Sequence, residues 1–250
     1  MDEQFYPRYN DHEDRHWWFI GRRKIFLRLL DRELGSERRD RRVLDVGCGT
    51  GTMLGYLERY GQAEGIDADE QAVSFCRARG LDRVQHVDNG SLPFPDETFD
   101  LVTALDVIEH IDDDAGVVRE LHRVLRPDGR LLVSVPAYPW MWGPQDDISH
   151  HKRRYVAKEL RQVLEDADLA LQRLTYFNTV LFPPIAAIRV LRPYKRGSQD
   201  VQSDFELTKP GKVNALLARL FAMEAPVVSR ARLPFGVSIL ALARRNGSRA

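Results

Sequence analysis

The chain reads as an α/β protein: one doubly wound, mostly parallel sheet with helices on both faces. Three observations lead there. From residue 42 onward, short apolar runs of strand length alternate with stretches of helical period. The first of those runs closes in a cluster of glycines and the second ends in an acidic residue. The 250 residues, 43% apolar and 30% charged, suit one generous domain and are too few for two ordinary domains with full cores. Alternation of this kind puts a ligand site outside the carboxyl ends of the strands.

Each element has its own signal. Residues 42–46 (RVLDV) form a buried strand entering the turn Gly47-Cys48-Gly49-Thr50-Gly51. Met53, Leu54 and Leu57 then recur at helical spacing up to Arg59, and residues 63–67 (AEGID) supply a second strand, completing a βαβ unit. Residues 69–79 read as a helix with Ala72, Val73 and Cys76 on one face, Asp69 as N-cap and Gly80 as its stop, before a strand at 84–87. Residues 99–104 are strand-like and 113–125 helical, and the turn at 126–129 (RPDG) leads into the apolar run 130–135. Beyond Pro136 the aromatic and charged stretch 138–155 is too irregular for one element and reads as an active-site loop. A helix at 156–166, a strand at 169–176, a helix at 213–223 and a last strand at 236–243 follow, and a terminal antiparallel pair fits them. Residues 192–211 carry proline, glycine, serine and mixed charge and read as a loop or partly disordered insert.

Composition narrows the function classes. Basic and acidic residues both count 37, so no global field draws the chain to nucleic acid or to an anionic membrane. Cys48 and Cys76 are the only cysteines and each falls inside a regular α/β unit, which speaks against a disulfide framework and for a reducing compartment. Residues 1–10 lack an apolar signal-like segment, and no run of about 18 uncharged apolar residues occurs. A cytoplasmic protein without stable membrane insertion is expected.

A ligand can approach a backbone only where side chains are missing, so Gly47, Gly49 and Gly51 after a strand mark close contact with something polar. A dinucleotide loop spaces its glycines GxGxxG, but Thr occupies position 52. A phosphate-cradling loop needs Gly-Lys-Ser/Thr, and no lysine lies between Lys24 and Lys152. Asp67 ends the second strand, where a carboxylate accepts two hydrogen bonds from ribose hydroxyls, and its plainer reading is a turn or N-cap aspartate. Asp88 and Asn89 after the third strand can satisfy an adenine edge, or form an Asx-turn.

At this point VLDVGCGTG at 43–51, GID at 65–67, VDNGSLPFPDETFDLV at 87–102 and RVLRPDGRLLVSVP at 123–136 resemble the successive motifs of class I S-adenosylmethionine-dependent methyltransferases. The pattern is closest to the broad type 11 group of small-molecule and ubiquinone-biosynthesis-like enzymes. The resemblance implies a Rossmann-like, seven-stranded sheet whose last strand is antiparallel. It implies that Asp45 and the loop Gly47 to Gly51 hold the methionine portion of S-adenosylmethionine, that Asp67 binds the ribose and that Ala68 packs on the adenine. Asp88 and Asn89 would then lie at the adenine edge and Leu105 beside the methionyl end. One domain over 1–250 divides into an N-terminal helical cap (1–40), a cofactor-binding core (42–136), an acceptor loop (137–155) and a sheet-completing part (156–250).

Methyl transfer from a sulfonium is an in-line displacement, so alignment matters most and a base is needed only for some acceptors. His110 in DVIEH follows the fourth strand, and its unperturbed pKa of about 6.5 suits proton transfer. The bland alternative is that it shapes the cofactor pocket or caps the next helix. The segment 146–155 (DDISHHKRRY) packs histidines, including the second catalytic candidate His151, with cations behind Tyr138, Trp140 and Trp142. Arg153 and Arg154 could clamp an acceptor anion, with Tyr138, Trp142 and Tyr155 supplying contact area, and a solvated charged turn is the alternative. Nothing fixes a metal geometry for Asp146, Asp147, His150 and His151, and no metal is expected. Trp18 and Arg23 near the N-terminus could close the pocket or simply pack. The apolar stretch 175–191 could line a greasy acceptor pocket, and the arginines and lysine after it leave a weak peripheral lipid contact open.

The expected function is methyl transfer to oxygen, nitrogen or carbon of a small metabolite, lipid-linked, isoprenoid or sugar-containing, by a monomer or homodimer. The alternatives are a non-catalytic S-adenosylmethionine-binding scaffold and an NAD-dependent oxidoreductase. The glycine spacing argues against the last.

Overall fold

A computed structural model of the chain describes residues 6–35, 40–87, 91–197, 203–204 and 211–247. Helices α1 (Tyr6–Arg15) and α2 (Trp17–Leu34) precede strand β1 (Arg41–Val46), α3 (Thr52–Leu57), β2 (Gly61–Asp67), α4 (Glu70–Ala78) and β3 (Val84–His86). Strand β4 (Phe99–Leu105), α5 (Asp114–Val124) and β5 (Leu125–Pro136) continue the alternation. The chain then forms α6 (Pro144–Ile148), α7 (Ala157–Glu165), β6 (Leu169–Phe177), α8 (Phe182–Leu191), α9 (Lys212–Ala222), α10 (Ala225–Val228) and β7 (Ser238–Arg245). The seven strands order as β3-β2-β1-β4-β5-β7-β6, parallel except for β7, which runs antiparallel to both neighbours. Rossmann-like topology and an antiparallel last strand are therefore both present.

The sheet is buried on both faces because its strands are apolar at successive positions and not only at alternate ones. Val43, Leu101, Leu132, Leu240 and Leu242 point into one core with Phe26, Leu29 and Leu30 of α2, Leu54 of α3 and Phe221 of α9. Their sequence neighbours Leu44, Val102, Leu131, Ile239 and Ala241 point into the other, against Val118 and Leu121 of α5 and Leu160 and Leu164 of α7. This is the two-residue period of a strand read from both sides. Caps fix the helix starts: Asp69 accepts the Gln71 N–H, Asp113 the Gly116 N–H and Glu159 the Val156 N–H.

Several boundaries differ from the sequence reading. The turn expected at 126–129 lies inside β5 as a break in register, with Phe99 opposite Leu125 and Leu101 opposite Arg130, and Asp128 at φ 64°. Residues 137–155 are more regular than a loop, holding a 3₁₀ turn (Pro139–Met141) and α6. Of the insert at 192–211 only part lies within the described residues; there Arg189 of α8 pairs with Asp204. No described helix is long and apolar enough to cross a membrane.

Candidate active site

Strand β1 delivers Asp45 and the glycine loop to the carboxyl edge of the sheet. Gly47, Gly49 and Gly51 have φ of 67°, 56° and 88°. At Gly51 a side chain is excluded twice, by the left-handed backbone and because a Cβ would sit 2.7 Å from Leu81 Cδ1 and 2.9 Å from Cys76 Sγ. The Ile66 carbonyl accepts the N–H of Gly47 (2.9 Å) and of Cys48 (3.0 Å), which clamps the loop to β2. Asp67, the last residue of β2, accepts the Gly49 N–H on one oxygen (2.9 Å) and the Asp69 N–H on the other (3.0 Å). The carboxylate is thus fixed in orientation and keeps acceptor capacity for a ligand's hydroxyls. Ala68 beside it is exposed, and Leu105 ends β4, which lies on the far side of β1 from β2.

Helix α1 closes over this edge. Glu13 takes the Thr50 hydroxyl, Asp14 takes that of Thr52 (3.2 Å), and Arg79 after α4 ties Asp14 (3.0 Å) to Asn10 (2.6 Å). Burial pushes the Asp45 carboxyl up to about 7; the Thr103 hydroxyl bond opposes this, and the charges of Glu13 and Asp67 add to it. Burial likewise raises Glu13 and Asp67. Three acids, Glu13 and Asp45 buried and Asp67 half-buried, with Arg22 acting on the first two, leave an excess of carboxyl groups that suits a cationic ligand.

Beyond the ends of β4 and β5 opens a cavity of about 490 Å³. Trp17, Trp18 and Phe19 of α2, Met141, and Leu181, Ile185 and Ile188 around α8 make its wall mostly apolar. Polar groups reach it from the 3₁₀ turn Ile108–His110 after β4 and from residues 145–154, and also from Arg22, Asp106 and Asn178. The His110 and His151 rings meet edge to face with centroids 4.6 Å apart. Burial, and then the neighbouring His151, lowers His110 to about 4, so its imidazole is neutral at pH 7 and a weaker base than the unperturbed value promised. His151 Nδ1 bonds Asp146 Oδ1 (2.8 Å), and Asp146 also accepts the Gly143 N–H (2.7 Å) and Arg154 Nη1 (3.1 Å). Burial acts to raise Asp146, and the bonds from His151 and Arg154 outweigh it, so its net direction is down.

Of the acceptor candidates, Trp18 and Arg154 line the cavity and five others do not. Arg23 reaches the Glu13 carbonyl (3.1 Å) and lies over Tyr56. Tyr138 stacks on Tyr176, and Trp142 donates to Asp147 (2.8 Å) beneath Arg196. Arg153 and Tyr155 both spend their polar groups on Asp114, at 2.9 and 2.6 Å. These five engage aspartates, a carbonyl and aromatic rings of the protein itself. Asp88 and Asn89 lie outside the described residues. Cys48 and Cys76 are free thiols with their sulfurs 3.8 Å apart.

Sequence reasoning missed Glu109, Asn178 and the Asp106 pair. Asp106, at φ 59°, pairs with Arg22 and accepts the Ser134 hydroxyl (2.9 Å). Asn178 is fully buried at the cavity wall, and neither of its amide atoms has a partner among the described residues. Adjacency of Glu109 to His110 was the one signal available for the first; nothing in the sequence marks the second.

A glycine loop after β1, an acid at the end of β2 and a cavity past β4 in this strand order make up the arrangement of class I S-adenosylmethionine-dependent methyltransferases, and the chain is similar to that family over its cofactor-binding core. Residues 44–133 match the model of the methyltransferase-domain family. A protein of Mycolicibacterium smegmatis named a probable S-adenosylmethionine-dependent methyltransferase is 34% identical over 166 residues, 64% of this chain and 62% of its own. A demethylmenaquinone methyltransferase of Tropheryma whipplei is 33% identical over 171 residues, 65% of either chain. The chain thus spans a little under two thirds of the length of these relatives. Among solved structures, a chain of the Haloferax volcanii complex between the Trm112 activator and a methyltransferase superposes at a TM-score of 0.61. It is 19% identical and covers 99% of this chain and 97% of its own, which speaks to the fold alone.

Proposed function

We propose that the protein transfers a methyl group from S-adenosylmethionine to oxygen, nitrogen or carbon of a small-molecule acceptor with an apolar body and a polar reacting end. The observation that carries this is the adjacency of two sites. A Cβ on Gly47 of the glycine loop would lie 2.5 Å from Val107, whose sequence neighbour Asp106 lines the mostly apolar cavity together with Glu109, His110 and His151.

Bound in the crevice, S-adenosylmethionine supplies an electrophilic methyl on a sulfonium. Asp67, already oriented by two backbone N–H groups, takes the ribose hydroxyls. Asp45 and the loop Gly47 to Gly51 hold the methionine end, with Ala68 against the adenine and Leu105 beside the methionyl chain. The excess of acid from Glu13, Asp45 and Asp67 favours the cofactor's positive charges over a pyrophosphate. His110 and His151 meet the acceptor's reacting atom, while Trp18, Met141, Leu181 and Ile185 exclude water and hold the apolar body. Asn178 offers the acceptor one donor and one acceptor. An isoprenoid or lipid-linked metabolite fits such walls better than a free sugar.

Calorimetric titration with S-adenosylmethionine, S-adenosylhomocysteine and NAD tests the cofactor half. The expected result is binding of the first two and none of the third. Asp67→Ala should weaken that binding by about 1–3 kcal/mol, the cost of stranding buried polar partners. Unchanged affinity in Asp67→Ala, or preference for NAD, contradicts the assignment. Transfer of labelled methyl into an apolar metabolite extract tests the acceptor half.

A further inference from the structure

We infer that Glu109, His110 and His151 form a binding site for a divalent transition-metal ion in the wall of the cavity. One ligand-capable atom of each residue lies within 4.8 Å of the other two. They come from separate segments, joined where the Lys152 N–H donates to the Glu109 carbonyl (2.8 Å). Two imidazoles and a carboxylate make the three-ligand set that leaves a coordination position open. Closing onto an ion, with bonds of about 2.0–2.2 Å, requires these atoms to draw in by side-chain rotation.

Two further observations point to a ligand there. Glu109 is fully buried, at 0% exposure, and neither of its carboxylate oxygens has a hydrogen-bond partner in another of the described residues. A buried carboxylate without partners is expensive, and a cation is one way to satisfy it. His151, moreover, is already held from behind. Its Nδ1 is bonded to Asp146, which is itself anchored by Gly143 and Arg154, and the His110 ring stands edge to face against that of His151 with centroids 4.6 Å apart. That is the outer-shell arrangement which fixes the tautomer of a ligand histidine and turns its other nitrogen to the metal. The nearby cations Arg22 and Arg154 are each taken by an aspartate, Asp106 and Asp146. Imidazole ligands select Fe²⁺, Ni²⁺, Cu²⁺ and Zn²⁺ over Mg²⁺, Ca²⁺ and Mn²⁺, which take oxygen. The site does not depend on the methyl-transfer reading; where both hold, the open position faces the acceptor.

Titration of chelator-treated protein with Co²⁺, followed by its visible absorption and by competition with Zn²⁺, tests the site without cofactor or acceptor. The expected result is saturable uptake of one equivalent with a spectrum of mixed nitrogen and oxygen ligation. Glu109→Gln and His151→Ala should each lower affinity at least about tenfold, Asp146→Asn by about 10–100-fold, and the distant control His122→Ala not at all. Metal should raise the unfolding midpoint of the wild type and leave that of His151→Ala unmoved. If a variant does not fold, the wild-type spectrum decides alone. No saturable uptake by the wild type, or uptake that survives in folded Glu109→Gln and His151→Ala, overturns the inference, the second outcome meaning adventitious binding elsewhere.

Discussion

Asp45 shows at the scale of one residue how burial sets chemistry. It lies in a central strand, and the bond from Thr103 offsets only part of the cost of ionising there, so the carboxyl titrates at about 7. A folded-state value above the ordinary 3.8 means that the folded protein holds this proton more tightly than the unfolded chain. Its contribution to stability is therefore full below about pH 4 and is lost as the pH rises through about 7. Chemical denaturation of wild type and Asp45→Asn across that window should show the wild type losing up to about 1.4 kcal/mol per pH unit relative to the variant. Parallel pH profiles would rule out a buried ionisation at this position. Glycines identified the loop from sequence, because the left-handed backbone at 47, 49 and 51 permits few other residues. Glu109 escaped that reading, since its inward turn depends on Asp106 taking φ 59° and on a 3₁₀ turn that no propensity announces. Tyr138, Arg153 and Tyr155 engage partners distant in sequence, which their types alone do not reveal, while Trp142 donates to Asp147 close by in the chain.

At the scale of elements, the N-terminal cap depends on the crossing of α2 and α9. A Cβ on Gly21 would lie 2.2 Å from Phe221 Cδ1, so the helices meet where a side chain is missing. Alanine improves an exposed helix by about 1 kcal/mol over glycine. Here overpacking outweighs that gain, and Gly21→Ala should destabilise by about 1–3 kcal/mol in thermal or denaturant unfolding. Asn214 of α9 accepts the Trp17 N–H and donates to the Arg15 carbonyl, both at 2.8 Å, stitching the break between α1 and α2. Asn214→Ala should cost about 0.5–2 kcal/mol, as loss of a helix cap does, and no change in midpoint would deny the stitch its role. The alternation of strands and helices was legible because apolar period and turn chemistry are local. The crossing of α2 with α9, nearly two hundred residues apart, is not, and neither is the order within 137–155, whose short helices are fixed by contacts rather than period.

At the scale of the whole molecule, a sheet buried on both faces forms a rigid frame, and its carboxyl edge gathers acids that the fold alone does not neutralise. A cofactor that binds only the folded chain should stabilise it by mass action. At one hundred times its dissociation constant, S-adenosylmethionine should add about 2.7 kcal/mol, a rise of roughly 5–10 °C in the unfolding midpoint. A midpoint indifferent to the cofactor but raised by NAD would reverse the functional reading. The most direct measurement is a crystal structure of the complex with S-adenosylhomocysteine. It should place both ribose hydroxyls on the Asp67 carboxylate, the amino acid end along Gly47 to Gly51, and the sulfur facing the cavity lined by His110 and His151. A ligand bound elsewhere, with α1 still seated on Thr50 and Asp67 bonded to the backbone alone, would contradict the account.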